Sequence, residues 1–189
     1  MPYLSKPNAA TVNAFLEAEQ GKTFTYPTVG ATKNGEPPKD YDLDDNKVYL
    51  GHGQKVFTSA VNALNQWQHF PPSWTEVQAP EHPPFEAQTV AVLFKVLGLW
   101  WLNSARIVYV LHETNKYGFA YGTLPGHIEC GEEVFYVEMH PDESVYYHIK
   151  AFSKPNRWFV KLGYPLARHW QRQFVKESKL RMQQLCQLI

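Results

Sequence analysis

The feature that most constrains this chain is an alternation of rings and small residues near its middle. Tyr117, Phe119 and Tyr121 alternate with Gly118, Ala120 and Gly122, and Thr123 follows. Successive strand side chains point to opposite faces, so this segment has one face of rings and one of nearly bare backbone. Glycine inside a strand commonly marks a close approach, so a helix, another sheet or a bound molecule must lie against the bare face. Gly118, Ala120 and Gly122 are therefore expected to border either the C-terminal helix or a ligand.

The flanking sequence extends this strand into a meander. Residues 88–97, 105–113, 132–140 and 145–153 read as strands joined by short turns, which predicts antiparallel pairing in a strongly curved sheet. Residues 98–104, with Trp100 and Trp101, read as a loop, and 74–78 as a short strand. Upstream, a strand at 46–50 leads through Gly51-His52-Gly53 into a helix at 54–68, whose Val56, Phe57, Ala60, Val61, Leu64 and Trp67 share one face. Strand, Gly-x-Gly and helix make only a weak dinucleotide signature, because the third glycine and the closing acidic residue are missing. Beyond Pro155 the pattern is helical: a first turn or two at 157–162, then a longer helix from Pro165 toward Ile189. Leu166, Trp170, Phe174, Met182, Leu185 and Ile189 form its apolar stripe, and the basic residues between them read as a solvated face.

At the N-terminus, residues 8–20 read as a helix capped by Asn8, with Val12, Phe15 and Leu16 as its stripe and Gly21 as its stop. Residues 33–45 read as an irregular loop. There Asp40, Asp42 and Asp44 alternate like the start of a calcium loop. The required sixth-position Gly and twelfth-position Glu are replaced by Asp45 and Gly51, so no calcium site is expected. The chain is expected to form a single domain over 1–189. Its parts are an N-terminal helix and extension (1–45), a sheet with the inserted helix 54–68 (46–153) and a C-terminal helical segment (155–189).

Eighteen basic residues balance eighteen acidic ones, so the basic excess of a nucleic-acid binder is missing. Cys130 and Cys186 belong to no ligand or redox spacing, and the N-terminal residues lack a secretory pattern. The most apolar stretch, 90–102, carries Lys95 and is shorter than the ~20 residues that span a bilayer. A cytoplasmic protein without a transmembrane segment is the expectation, with no cofactor and no metal.

The fold class is therefore α+β: a curved antiparallel sheet of about seven strands wrapped around a long C-terminal helix. That arrangement resembles the helix-grip, Bet v 1-like folds, and the resemblance implies an apolar cavity between sheet and helix. Several motifs resemble the DUF1990 family: Tyr-Pro-Thr-Val-Gly-Ala-Thr at 26–32, Val-Tyr-Leu-Gly-His-Gly at 48–53, Trp-Leu-Asn-Ser-Ala-Arg-Ile-Val-Tyr at 101–109 and Gly-Phe-Ala-Tyr-Gly-Thr-Leu-Pro-Gly-His at 118–127. Gly-Glu-Glu at 131–133 and Ala-Phe-Ser-Lys-Pro at 151–155 extend the resemblance over nearly the whole chain from about Phe24. Ser104 stands where the family is expected to carry Pro, a departure that loosens the turn. The family brings a helix-grip relationship but no activity.

His127, Glu129, Glu132 and Glu133 fall within seven residues. His127 near carboxylates is an acid/base candidate, but the favoured reading is that His127 finishes a turn and the glutamates pair with Arg or Lys on a neighbouring strand. Arg106, at the start of an apolar strand, needs a partner. Glu132 is the expected one, and a ligand anion is the alternative. The leading expectation is a cavity for an apolar or amphipathic molecule, bordered by Trp101, Asn103, Arg106, Tyr109, Gly118, Ala120, Tyr121, Gly122 and His127. Two alternatives remain open: an enzyme, cyclase- or hydrolase-like, using His127, Glu132 and Arg106 in the same cavity, or a regulatory protein-interaction module.

Overall fold

The computed structural model describes residues 2–156 and 163–187. The turns expected at 157–162, and Ile189, lie outside the described residues. A short strand β1 (Pro2–Tyr3) precedes helix α1 (Ala9–Glu19), the single turn α2 (Ala31–Asn34), strand β2 (Asp42–His52) and helix α3 (Gln54–Asn65). Strands β3 (Thr75–Gln78), β4 (Thr89–Val96), β5 (Leu99–His112), β6 (Lys116–Thr123), β7 (Glu129–Met139) and β8 (Ser144–Pro155) follow, then helix α4 (Tyr164–Gln187). The strands form one antiparallel sheet in the order β2-β8-β7-β6-β5-β4-β3, with β1 added beside β5. With α3 and α4 on one face, this is a helix-grip, Bet v 1-like α+β fold.

The ring face of β6 is the inner one. Tyr117, Phe119 and Tyr121 join Phe135 and Val137 of β7, Tyr147 and Ile149 of β8, Phe57, Ala60 and Leu64 of α3, and Met182 of α4. Phe119 is fully buried, and burying such a ring contributes about 1.5–3 kcal/mol. The bare face therefore looks outward, away from α3 and α4. Ala120 packs with Tyr109, Val134 and Tyr136. A Cβ at Gly118 would collide with the β7 backbone at Phe135 and Tyr136, and one at Gly122 with the rings of Tyr26 and Phe24. Neither the C-terminal helix nor a cavity occupies that face; Tyr136 and residues 24–26 do.

The N-terminal part of the chain is a strap across the outer face. Asn8 caps α1 by accepting from the Thr11 N–H, and Val12 packs on Ala91, Leu93 and Leu102. Farther along, Tyr26, Ala31 and Tyr41 pack against Phe152 and Cys130.

Parts of two segments expected to be loops, 42–45 and 99–104, are strand. Leu97 and Gly98 both have positive φ, forming a two-residue turn whose twist suits a hairpin, so β5 already begins at Leu99. Trp100 and Trp101 then face opposite sides of the sheet. Of the alternating aspartates, Asp42 and Asp44 lie on edge strand β2, and Asp40, in the turn before it, pairs with Lys154. Asp44 receives both terminal nitrogens of Arg168 at 2.6 and 2.9 Å, and Asp42 accepts from the Tyr164 hydroxyl. The acidic alternation thus ties α4 to the sheet edge. Farther along, Tyr147 and Ser178 hydroxyls meet at 3.0 Å.

Candidate functional site

Between the inner face and the N-terminal half of α4 the side chains do not close up. A cavity of about 310 Å³ remains, lined chiefly by Phe70, Trp74, Phe94, Trp101, Trp170 and Phe174. Its volume falls at the lower end of the range usual for small-molecule sites. Trp74 and Trp170 pack ring against ring at 5.3 Å, and the Trp74 indole N–H donates to Glu177 at 2.6 Å.

The cavity has one polar corner, made by the odd-numbered residues at the start of β7. Glu129 and Glu133 share the inward parity of Phe135, because side chains two apart lie on one face. The Tyr121 hydroxyl, directly across on β6, donates to Glu133 at 2.7 Å. The Gln171 amide of α4 donates to Glu129 and, at 3.2 Å, to Ser153, while its oxygen accepts from Arg168 at 2.7 Å. Asp44, Arg168, Gln171 and Glu129 thus form one chain of polar contacts across the cavity mouth.

Burial in these apolar surroundings sets the protonation. It pushes Glu133 up to about 8, against the hydrogen bond from Tyr121 and with the help of repulsion from Glu129 and Asp44. Glu129 is pushed to about 6 by burial, moderated by the Gln171 hydrogen bond and by Arg168. His127 is 9% exposed, and burial lowers it to about 4, so its ring is neutral near pH 7. Its Nδ1 accepts the Glu129 N–H at 3.0 Å, which places the ring proton on Nε2. At neutral pH the corner therefore offers a protonated carboxyl, a largely ionised carboxylate and a neutral imidazole.

Of the residues singled out from sequence, Trp101, Tyr121 and His127 lie on the cavity wall. Glu132 borders the cavity, but its carboxylate points to the outer face. It accepts from the Tyr26 hydroxyl at 2.8 Å, from the backbone N–H groups of Gly30 and Thr32 at 2.7 and 3.0 Å, and from the Thr32 hydroxyl. Arg106 is not its partner. Both side chains flank Gly122 in one row, and the strap enters the gap between them. Tyr26 takes Glu132, while Phe24 packs under the Arg106 guanidinium, which donates to the carbonyls of Lys22 and Glu19.

The proposed trio of His127, Glu132 and Arg106 consequently does not converge. Tyr109, expected at the pocket, bonds Thr32 across the outer face at 2.7 Å. Asn103 is fully buried and braces the turn before β7 by accepting the Ile128 N–H at 3.2 Å. Gly118, Ala120 and Gly122 lie on the far side of the sheet from the cavity.

Residues 25–180 match DUF1990, described as a domain of unknown function. The chain belongs to this family. A UPF0548 protein of Dictyostelium discoideum is 34% identical, with 92% of this chain and 90% of that protein covered. A UPF0548 protein of Deinococcus radiodurans is 29% identical over 93% of this chain and 98% of its own. Among solved structures, a hypothetical protein from Helicobacter pylori aligns with a TM-score of 0.54 at 12% identity, covering 83% of this chain and 96% of that one. Protein Ms6760 from Mycobacterium smegmatis aligns at 0.52 and 10% identity, covering 80% and 99%. At such identities the likeness concerns the fold.

In this DUF1990 chain the sequence brings Glu133 into view beside Glu132 without marking it as the inward one, and it gives Asp44, Trp74, Trp170 and Gln171 no part in the pocket. Parity could have found Glu133, which sits two residues before the inward Phe135. Ser104, the expected departure from the family, loosens nothing: it lies within β5, and its hydroxyl donates to buried Glu19 at 2.7 Å. Among the described residues no helix is long and apolar enough to cross a membrane.

Proposed function

We propose that this protein binds an apolar or amphipathic small molecule in the cavity between the sheet and α4. The observation that carries this reading is an aromatic-lined space of about 310 Å³ that the surrounding rings leave unfilled. Native interiors are otherwise close-packed, and a void of this size lined by apolar groups forfeits packing energy unless a ligand occupies it. The cavity also favours a ligand over a docking partner as the explanation of the aromatic content. Two free, buried thiols suit a reducing compartment, and we assign the protein to the cytoplasm.

Native mass spectrometry of gently purified protein, with solvent extraction of whatever is retained, tests the reading. Ala151 lines the cavity between Asp44 and Glu133 in the sheet register. Ala151→Phe fills the space, so it should abolish retention while thermal unfolding stays cooperative. Equal retention by the filled variant would place the ligand elsewhere.

A second reading rests on Glu133 itself. A carboxyl that keeps its proton near neutral pH, hydrogen-bonded to a tyrosine inside an apolar cavity, is suited to general acid/base work. An enzyme in the same cavity would then use Glu133 and Tyr121. Turnover of an extracted ligand by the native protein and not by Glu133→Gln is its signature.

A further inference from the structure

We propose that the ligand is an amphipathic amine, seated with its protonated nitrogen against Glu129 and Glu133 and its apolar body among the tryptophans. This rests on the small-molecule reading above and adds the chemical class.

Charge sign is the first argument. The described residues that border the cavity include the acids Asp44, Glu129 and Glu133, and no lysine or arginine. Arg168, the cation that reaches Glu129 through Gln171, is already held by Asp44 through both terminal nitrogens. A carboxylate or phosphate headgroup would meet acids, with no free cation among the described residues of the lining to hold it. A carboxylate has room for roughly four hydrogen bonds. Among the described side chains, Glu133 accepts only from Tyr121, and Glu129 only from Gln171. The remaining acceptor positions are those an ammonium group, with three donors, can fill.

The second argument comes from His127. It is nine-tenths buried and lines the same cavity, and no described residue accepts from its Nε2–H. That donor suits an acceptor atom, such as a hydroxyl oxygen, close to the amine. Aromatic walls give a third argument. Faces of Trp74, Trp101 and Trp170 attract an organic cation and its alkyl or aryl substituents alike. Protonation agrees with the assignment: Glu129 is largely ionised near neutral pH, and a cation beside Glu133 draws its carboxyl toward the ionised form.

The test is a matched series of decylammonium, decanol and decanoate below their micelle concentrations, titrated near neutral pH with tryptophan fluorescence and calorimetry as readouts. Decylammonium should bind at least about ten-fold more tightly than decanoate, since like charges brought together at a desolvated site cost more than the 1.4 kcal/mol that ten-fold represents. In the double variant Glu129→Gln, Glu133→Gln that preference should vanish while decanol binding stays within about two-fold. If decanol and decanoate bind as well as decylammonium, the cavity is a ligand site and the amine assignment is wrong. If none of the three binds, while the Ala151→Phe comparison shows no retained ligand either, the small-molecule reading itself falls. Circular dichroism of the double variant confirms that its fold is intact. Should it fail to fold, the single variant Glu133→Gln carries the comparison, and an unchanged preference there also overturns the assignment.

Discussion

Both faces of the sheet bury carboxylates, and the two sets are treated differently. On the outer face Glu132 receives four donors and Glu19 three: Lys22 at 2.6 Å, Ser104 at 2.7 Å and the Gly126 N–H at 2.8 Å. Each fastens the N-terminal strap to the sheet. On the inner face Glu129 and Glu133 receive one donor apiece from the described side chains and keep part of their surface open to the cavity. Burying a charge without matching donors is costly, so carboxylates left short of partners in an apolar site mark a function there, whereas saturated ones mark architecture.

Breaking the best-satisfied member should have the largest effect. Glu132→Ala leaves the Tyr26 hydroxyl and the Gly30 and Thr32 N–H groups without their acceptor. It should destabilise the protein by about 3–5 kcal/mol in urea unfolding. A loss below 1 kcal/mol would mean that water replaces the carboxylate and that the strap is loosely held.

Glu19→Ala should cost less, about 2 kcal/mol, because Lys22 is half-exposed and can turn to solvent. Burial raises the Glu19 carboxyl, but the hydrogen bonds from Lys22, Ser104 and Gly126 outweigh it and hold the group below the usual carboxylate range. A depressed acid contributes stability above its unfolded pKa and loses it as pH falls through the folded value. The parent's acid limb should therefore be steeper than that of Glu19→Ala.

The inner pair should show the opposite sign. Glu133 is raised, so its folded state holds a proton that the unfolded chain has already released. Stability falls as pH rises from about 4.5 toward about 8, and Glu129 completes its own contribution near 6. Tyr121, Glu129 and Asp44 face Glu133, while Arg168 and Gln171 bond Asp44 and Glu129 rather than Glu133 itself. Glu133→Gln should flatten the slope between about 4.5 and about 8, raising stability toward the alkaline end of that window while leaving acid stability unchanged. A variant destabilised across the whole pH range would make Glu133 architectural, like Glu132, and would remove the contrast.

Much of this fold is visible in the sequence because its signals are local. The alternation at 117–123 fixes a strand, short turns fix an antiparallel meander, and the stripe through Trp170, Phe174 and Met182 fixes a helix. The site is less legible because alternation reveals two faces without saying which is inside. Assigning the small residues of β6 to the pocket sent Gly118, Ala120, Gly122 and Tyr109 to the wrong side. Choosing Glu132 rather than Glu133 followed from the same ambiguity. Gln171 and Arg168 could not be read at all, since their partners on β7 and β2 lie 42 and 124 positions away.

The adjacency of Glu132 and Glu133 bears on how the sheet finds its pairing. A strand that slips by one residue turns all its side chains to the other face. Here such a slip trades one carboxylate for another, so polarity offers little protection against mispairing at this point. Size supplies it instead. Gly118 and Gly122 stand across from Tyr136 and Glu132, where the chain tolerates no Cβ, and a slipped β6 would drive Phe119 or Tyr121 into that space. The two glycines thereby proofread the alignment of β6 with β7, and with it decide which glutamate becomes a fastener and which is presented to the cavity.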